Sequence, residues 1–103
     1  MMRVEFPMTL DDIRKRKRTV IMSIAERHGV TGIRVFGSFA RGEERLDSDL
    51  DLLIEAGPAR TPFFPGGLIA DLEAELGRKI EVTTASALHP RLREEVLREA
   101  VRL

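Results

Sequence analysis

The order of apolar and polar residues along the chain predicts alternating helices and strands. From about Leu10 to His28 apolar residues recur at helical spacing, which predicts one long helix. Thr9 is a suitable N-cap for this helix, and Gly29 is a suitable stop. Lys17 falls on the apolar stripe and is out of pattern there. This lysine either extends along the surface of the protein or reaches toward a functional edge.

Three shorter segments alternate between apolar and polar residues, which is typical of strands. They are Thr31 to Phe36, Asp49 to Glu55 and Lys79 to Thr83. In the second strand the apolar residues at 50, 52 and 54 share one face, so Asp49 and Asp51 must point to the other face. In the third strand Glu81 points away from the apolar side in the same way.

The remaining segments complete an order of α-β-α-β-α-β-α. A helical turn begins at Ser38, and residues 57 to 67, which include the pair Phe63-Phe64, read as a loop anchored to the core by its aromatic rings. One further helix ends at Gly77, and a last helix begins at Pro90. We expect the last helix to turn its apolar residues inward, namely Leu92, Val96, Leu97 and Ala100. This order predicts an α+β fold.

Composition narrows the class of protein. A length of 103 residues predicts a single domain over residues 1–103 with one core. The chain has 17 basic and 17 acidic residues, and this zero net charge argues against nucleic acid as the main partner. The chain has no cysteine, no signal-peptide pattern and no apolar run of about 20 residues, so we expect a cytoplasmic protein that does not enter a membrane.

Residues 37 to 42, with the sequence Gly-Ser-Phe-Ala-Arg-Gly, form the first candidate site. A strand ends at Gly37 and a helical turn begins at Ser38, so free backbone N–H groups point outward and attract anions. Gly37 permits close approach of a ligand, Ser38 adds a hydroxyl donor, and Arg41 can place a guanidinium against a phosphate. The segment is a candidate phosphate-binding turn. An ordinary strand-turn-helix connection is the alternative.

Acidic residues on two predicted strands form the second candidate site. Asp49 and Asp51 lie two positions apart, so their attachment points are roughly 6.6 to 6.8 Å apart on the same face. Two like charges at this spacing repel, and a hard cation such as Mg²⁺ removes that penalty. If the strand of Glu81 is a neighbour, all three carboxylates can converge on one sheet surface. A strand with one solvated acidic face is the alternative.

Together these motifs resemble the DNA polymerase β-like nucleotidyltransferase superfamily. The resemblance covers about Ile33 to Leu103, and the chain is similar to the minimal nucleotidyltransferase domain proteins that act as antitoxin-type partners of HEPN-domain proteins. This resemblance implies a two-layer α+β fold in which helices pack on one face of a small mixed β-sheet. The residues that carry it are Gly37, Ser38, Arg41, Gly42, the segment Ser48-Asp49-Leu50-Asp51-Leu52, and Glu81 on a later strand.

The resemblance also implies a site and a reaction. Asp49, Asp51 and Glu81 would be the catalytic residues and would bind two Mg²⁺ ions. The nucleotide, with ATP the family expectation, would be held by Gly37, Ser38, Arg41 and Ser48. AMP would pass to a hydroxyl, expected to be a tyrosine, on a HEPN-domain partner. We therefore expect a hetero-oligomer, with a homodimer as the form of the protein alone.

Three other functions stay open from the sequence. The family usually has Asp where this chain has Glu81, which favours a second hypothesis, a binding module that neutralises its partner by complex formation. A nucleotide or metal sensor that binds ATP without transfer is the third hypothesis. The fourth is nucleic-acid binding through the basic run from Arg14 to Arg18, but five consecutive positions spread around most of a helix, so a solvated helix end is favoured.

Overall fold

The computed structural model describes residues 8–58 and 64–103. Its two longest strands, β1 and β2, are joined through a short helix, and the remaining helices flank the sheet. The helices are α1 (Leu10–Arg16), α2 (Arg18–Arg27), α3 (Ser38–Arg41), α4 (Gly66–Leu76) and α5 (Pro90–Glu99), with a 3-10 turn at Ala85–Ala87. The strands are β1 (Val30–Phe36), β2 (Leu50–Ala56), β3 (Ile80–Thr83) and β4 (Val101–Arg102).

The predicted N-terminal helix is two helices that meet at Lys17. Thr9 caps α1 as predicted, and its hydroxyl accepts the N–H of Asp12 while the Asp12 carboxylate accepts the N–H of Thr9. Lys17 has φ −121° and ψ −8°, which is not helical, so the prediction of one continuous helix was wrong at this residue. Its ammonium lies 3.2 Å from a carboxylate oxygen of Glu75 on α4. The out-of-pattern lysine therefore joins the two helical segments to a third helix.

The four strands form one mixed sheet in the order β3-β2-β1-β4. The pairs β1/β2 and β1/β4 are antiparallel, and β2/β3 is parallel, with α4 in the connection between them. The predicted mixed sheet and α+β class are confirmed. Strand β4 and the 3-10 turn were not predicted, because segments of two and three residues are too short to show a period.

One apolar cluster joins the helices to one face of the sheet. Fully buried residues come from α1, α2, β1, β2 and α4: Ile13, Ile21, Val35, Leu50, Leu52, Leu68 and Leu72. Ile54 is buried with them, which confirms the predicted apolar face of β2. Phe64 packs against this cluster as predicted, whereas Phe63 lies outside the described residues.

The last helix is less buried than its pattern predicted. Val96 is buried, but Leu92 is 52 % exposed and Leu97 is 38 % exposed, so these two were wrongly expected to face inward. Ala100 is half-buried and follows the helix as its C-cap. An amphipathic pattern indicates which residues form the apolar stripe of a helix. It does not indicate how much of that stripe the neighbouring elements cover. In the part of the chain that the structure describes, every helix is too short or too polar to span a bilayer.

Candidate active site

The predicted phosphate-binding turn begins where β1 ends against β2. Gly37 has φ 74° and ψ −151°, a backbone conformation open essentially only to glycine. Phe36 pairs with Asp51 across the two strands, so the next residue passes directly over that aspartate. A Cβ atom on Gly37 would lie 2.1 Å from Oδ2 of Asp51. The glycine is therefore required both for the backbone angle and for the room that the carboxylate occupies.

Asp51 and Glu81 form the centre of the site. They are register partners on the parallel strands β2 and β3. The two strands are therefore neighbours, which the predicted approach of their carboxylates required. Partial burial raises the pKa of Asp51 to about 7, and a hydrogen bond with Glu81 and the charges of Glu81 and Asp49 act in the same direction. Arg41 acts in the opposite direction on the pKa of Asp51. Glu81, Asp49 and Arg41 thus all lie within electrostatic range of Asp51.

Asp49 stands at the edge of this cluster. It directly precedes β2, and its Oδ2 atom lies 3.9 Å from the ammonium of Lys79. Within residues 8–58 and 64–103, no three histidine, cysteine or acidic side chains converge closely enough to hold a metal ion. Asp51 and Glu81 nevertheless fit a divalent cation, because carboxylate oxygens are hard ligands and a bound cation removes the repulsion between two neighbouring carboxylates.

Arg41 is held between two carboxylates. Its Nε atom donates to Glu43 and its NH1 atom donates to Glu99, each at 2.5 Å, and these hydrogen bonds raise the pKa of the guanidinium. Glu99 also accepts the backbone N–H of Gly37 at 3.0 Å. Burial alone would raise the pKa of Glu99, but the hydrogen bonds from Arg41 and Gly37 hold it below its ordinary value. The turn is therefore tied to the end of α5.

The two predicted serines lie on either side of the site. Ser38 is the half-buried first residue of α3, next to Gly37. Ser48 lies just before β2, and its hydroxyl oxygen accepts the N–H of Arg45 at 2.7 Å, which closes the turn that leads into the strand. The expected contacts of both hydroxyls with a nucleotide stay predictions.

Two residues near the site were missed by the sequence reasoning. Arg78 donates to the carbonyl oxygen of Ser48 and places its guanidinium 5.0 Å from the ring centre of the buried Phe39, so it joins α3 to the segment before β2. Glu99 is the other missed residue. Its only signal in the sequence is an acidic residue at the end of an amphipathic helix, which on its own indicates a solvated position.

A cavity of about 940 Å³ lies farther along the sheet and not over the carboxylates. Arg34 and Leu53, which line it, are register partners on β1 and β2. Leu53 follows Asp51 by two residues, so strand alternation puts it on the same face as the carboxylate. Arg102 on β4 pairs with Arg34 and also lines the cavity. The cavity is therefore separate from the carboxylates and is lined at one end by basic side chains.

The site thus consists of a Gly-Ser turn that lies over paired carboxylates on adjacent strands of a mixed sheet. The family model for the nucleotidyltransferase domain matches residues 17–103. The chain belongs to this family of enzymes.

Named relatives and solved structures agree with this membership. The chain is 38 % identical over 96 residues to protein adenylyltransferase MntA of Thermococcus cleftensis, covering 91 % of this chain and 95 % of the relative. It is 35 % identical over 94 residues to a Methanocaldococcus jannaschii protein provisionally named as a protein adenylyltransferase, covering 91 % and 97 %.

A solved structure assigned as a minimal nucleotidyltransferase has a TM-score of 0.78 to this chain and 47 % identity, covering 93 % of this chain and 97 % of the other. A toxin-antitoxin structure with AMP-PNP shares the fold, with a TM-score of 0.70 and 17 % identity, covering 84 % and 71 %.

Proposed function

We propose that this protein is a Mg²⁺-dependent protein adenylyltransferase that transfers AMP from ATP to a hydroxyl of a HEPN-domain partner and is the antitoxin of that pair. The observation that carries the proposal is the close approach of Gly37 to Asp51, which puts the Gly-Ser turn directly beside the carboxylate that pairs with Glu81. The names of the adenylyltransferase relatives and the AMP-PNP in a structural neighbour support ATP as the nucleotide.

The turn would hold the phosphates of ATP. Gly37 is buried and its N–H donates to Glu99, so it would set the path of the turn, while Ser38 would supply a hydroxyl donor and Arg41 further N–H donors beside the carboxylates. Ser48, just before β2, would bind the nucleotide from the other side of the site. These four residues would orient the α-phosphate, and orientation of this kind supplies much of the rate in phosphoryl and nucleotidyl transfer.

Asp51, Glu81 and Asp49 would hold two Mg²⁺ ions. When bound, magnesium would neutralise charge on the phosphates and favour the ionised form of the acceptor hydroxyl. In the transfer, a bond forms between the acceptor oxygen and the α-phosphorus, the bond from that phosphorus to the bridging oxygen breaks, and pyrophosphate leaves. The hydroxyl proton passes to solvent. The cavity lined by Arg34 and Leu53 is where an acceptor segment would lie.

The biological setting follows from the same proposal. The protein would act in the cytoplasm as a single domain over residues 1–103 and would form a hetero-oligomer with its partner, with a homodimer as the form of the protein alone. Neither a membrane nor a nucleic acid is required by this reaction. Size-exclusion chromatography with light scattering, on the protein alone and with its partner, tests the assembly state.

The experiment combines the protein with the HEPN-type product of the adjacent gene, ATP and Mg²⁺. We expect intact-mass spectrometry to find the partner heavier by one or more AMP groups, and peptide mapping to place them on a tyrosine. Asp49→Asn and Asp51→Asn should abolish the mass increase. Asp47→Asn, which removes an exposed acid next to the motif, is the matched control and should retain it. An unmodified partner would rule out the transferase.

A second function is favoured by one observation. Asp49 is directed to Lys79 and not into a three-carboxylate cluster, as expected of a domain that neutralises its partner by covering it. This binding module would form a complex with an unmodified partner. The Asp51→Asn variant would then neutralise the partner as effectively as the wild-type protein does. The mass and the ribonuclease activity of the partner, measured on the same complex, separate the two functions.

A further inference from the structure

Glu99 lies where the chain leaves α5 and enters β4. Strand β4 pairs with β1 in antiparallel register, with Val101 opposite Val35. Two residues beyond Val35 is Gly37, and two residues before Val101 is Glu99. The register therefore puts Glu99 opposite the first residue of the phosphate-binding turn, although the two are 62 positions apart in the sequence.

The side chain of Glu99 binds both the backbone and a side chain of that turn. Oε2 accepts the N–H of Gly37 at 3.0 Å, and Oε1 accepts from NH1 of Arg41 at 2.5 Å. The side chain is 21 % exposed, so water competes for these two bonds less than at an open surface. Hydrogen bonds in which a partner is charged are roughly twice as strong as neutral ones. One carboxylate thus fixes two donors of the turn at once.

The second carboxylate on Arg41 provides a contrast. Glu43 accepts from Nε of Arg41, but its side chain is 62 % exposed and it belongs to the segment that directly follows α3. Glu43 therefore restrains the guanidinium from within the same loop, whereas Glu99 ties it to another element. A guanidinium has five N–H donors, and the two carboxylates use two of them, which leaves donors for a phosphate.

We propose that Glu99 is a positioning residue of the nucleotide site, which holds Gly37 over Asp51 and aims Arg41 at the phosphates of ATP. The inference rests on the proposed function, because ATP must bind at this turn for the positioning to matter. Arg41 carries one positive charge against the two negative charges of Glu99 and Glu43, so the guanidinium would contribute to phosphate binding through its remaining N–H donors and not through an excess of charge. Without Glu99 the guanidinium would turn toward Glu43 and solvent, and the Gly37 N–H would lose its acceptor.

The test measures ATP binding to the full chain by calorimetry in Mg²⁺ for the wild type, Glu99→Ala, Glu99→Gln and Glu94→Ala. We expect Glu99→Ala to raise the Kd for ATP about tenfold or more, since it removes charge-assisted bonds from two donors. Glu99→Gln retains one acceptor and should raise the Kd about threefold. Glu94→Ala removes the same charge from an exposed position on α5 and should leave the Kd within about twofold.

A second readout is independent of nucleotide binding. In the free protein the amide proton of Gly37 should exchange slowly with solvent, exchange fast in Glu99→Ala and stay partly protected in Glu99→Gln. If Glu99→Ala fails to fold, Glu99→Gln carries the test with both measurements. With partner present, the KM for ATP should rise more than kcat falls, because positioning of the phosphates is lost while Asp51 and Glu81 are intact.

Several results would overturn the inference. Glu99→Ala binding ATP as tightly as the wild type would show that the contact is incidental, and tighter binding would show that the carboxylate competes with phosphate. Unchanged protection of Gly37 would show that the turn does not depend on Glu99. A wild-type protein that does not bind ATP would overturn the proposed function as well, whereas wild-type binding with an unaffected variant would overturn only the role of Glu99.

Discussion

Asp51 and Glu81 face each other across the parallel strands β2 and β3, and partial burial together with the neighbouring Glu81 raises the pKa of Asp51 to about 7. This arrangement keeps two acids close together in the absence of a cation. Like charges at this distance raise the pKa of one member of a pair, as two carboxylates in one site commonly do. Binding of a proton and binding of a metal ion are two alternative ways to remove the repulsion between these carboxylates.

The first prediction concerns the pH dependence of Mg²⁺ binding. Because the pKa of Asp51 is raised to about 7, Mg²⁺ must displace a proton below that pH. We expect the affinity for Mg²⁺ to rise about tenfold per pH unit up to pH 7 and to level off above it. Calorimetry in buffers of different ionisation enthalpy would count the released proton. Glu81→Gln removes the like charge, lowers the pKa of Asp51 and should move the plateau to lower pH. An affinity for Mg²⁺ that does not depend on pH would contradict the raised pKa of Asp51.

The second prediction concerns stability without metal. A folded-state pKa above the ordinary value of 3.8 means that folded Asp51 keeps a proton that the unfolded chain has lost. The free energy of unfolding contributed by this group is therefore present at low pH and is lost as pH rises toward 7. Asp51→Asn removes the charge, so at pH 8 in EDTA its melting temperature should equal or exceed that of the wild type. A lower melting temperature would show that the carboxylate stabilises the fold.

The same substitution should remove activity. Asp51→Asn is expected to lower transfer to the partner by about a hundredfold or more, because it weakens the electrostatic stabilisation of the transferred phosphate. Asp47→Asn serves as the control, and its free energy of unfolding should stay within about 0.5 kcal/mol of the wild type. A variant that gains stability and loses activity would mark Asp51 as a residue retained for function.

The third prediction uses two glycines with positive φ. Gly37→Ala adds a methyl group where Asp51 Oδ2 would lie 2.1 Å away, in addition to the strained backbone. We expect it to cost at least about 2 kcal/mol of stability and to abolish ATP binding. Gly77→Ala at φ +64° has open space for its methyl group and should cost only about 1 kcal/mol. Urea unfolding of both variants compares their free energies of unfolding. Equal losses of stability would mean that the clash between the new methyl group and Asp51 is relieved at no cost in free energy.

The fourth prediction concerns Arg78. Its planar guanidinium both donates to the Ser48 carbonyl and lies over the Phe39 ring, and a lysine ammonium cannot reproduce both contacts. Arg78→Lys should lower the free energy of unfolding by about 1 kcal/mol and speed hydrogen exchange in residues 42–48. Arg91→Lys, at an exposed position of α5, is the matched control. If exchange in that segment is unchanged, Arg78 does not restrain it.

Local patterns predicted much of the fold and of the candidate site. The period-two alternation of β2 and β3 gave the correct facing of Asp51 and Glu81, because strand geometry determines which side a residue occupies. From the sequence, the pairing of β2 with β3 could only be assumed. The structure shows that the two strands pair. The family, the enzyme class and the mixed sheet are confirmed, whereas the roles of the individual site residues stay predictions.

Other features depended on contacts between distant parts of the chain. Lys17 was out of the apolar pattern of the predicted helix, but its partner Glu75 is 58 positions away and no period connects them. Leu92 and Leu97 had the spacing of a buried stripe, yet neighbouring elements cover only Val96 among the three. The role of Glu99 depends on a strand of two residues, which has no recognisable alternation.

The ladder between β1 and β4 also sets an order of events during synthesis. Proteins emerge from the ribosome with the N-terminal end first, and local elements form as soon as their residues are available. The turn at Gly37 and strand β2 are translated well before Glu99, whereas Glu81 precedes Glu99 by only 18 residues. A nascent chain could therefore pair β1 with β2 while the turn at Gly37 still lacks the carboxylate that ties it down. The candidate site would be completed only at the end of translation, when β3 and Glu99 become available together.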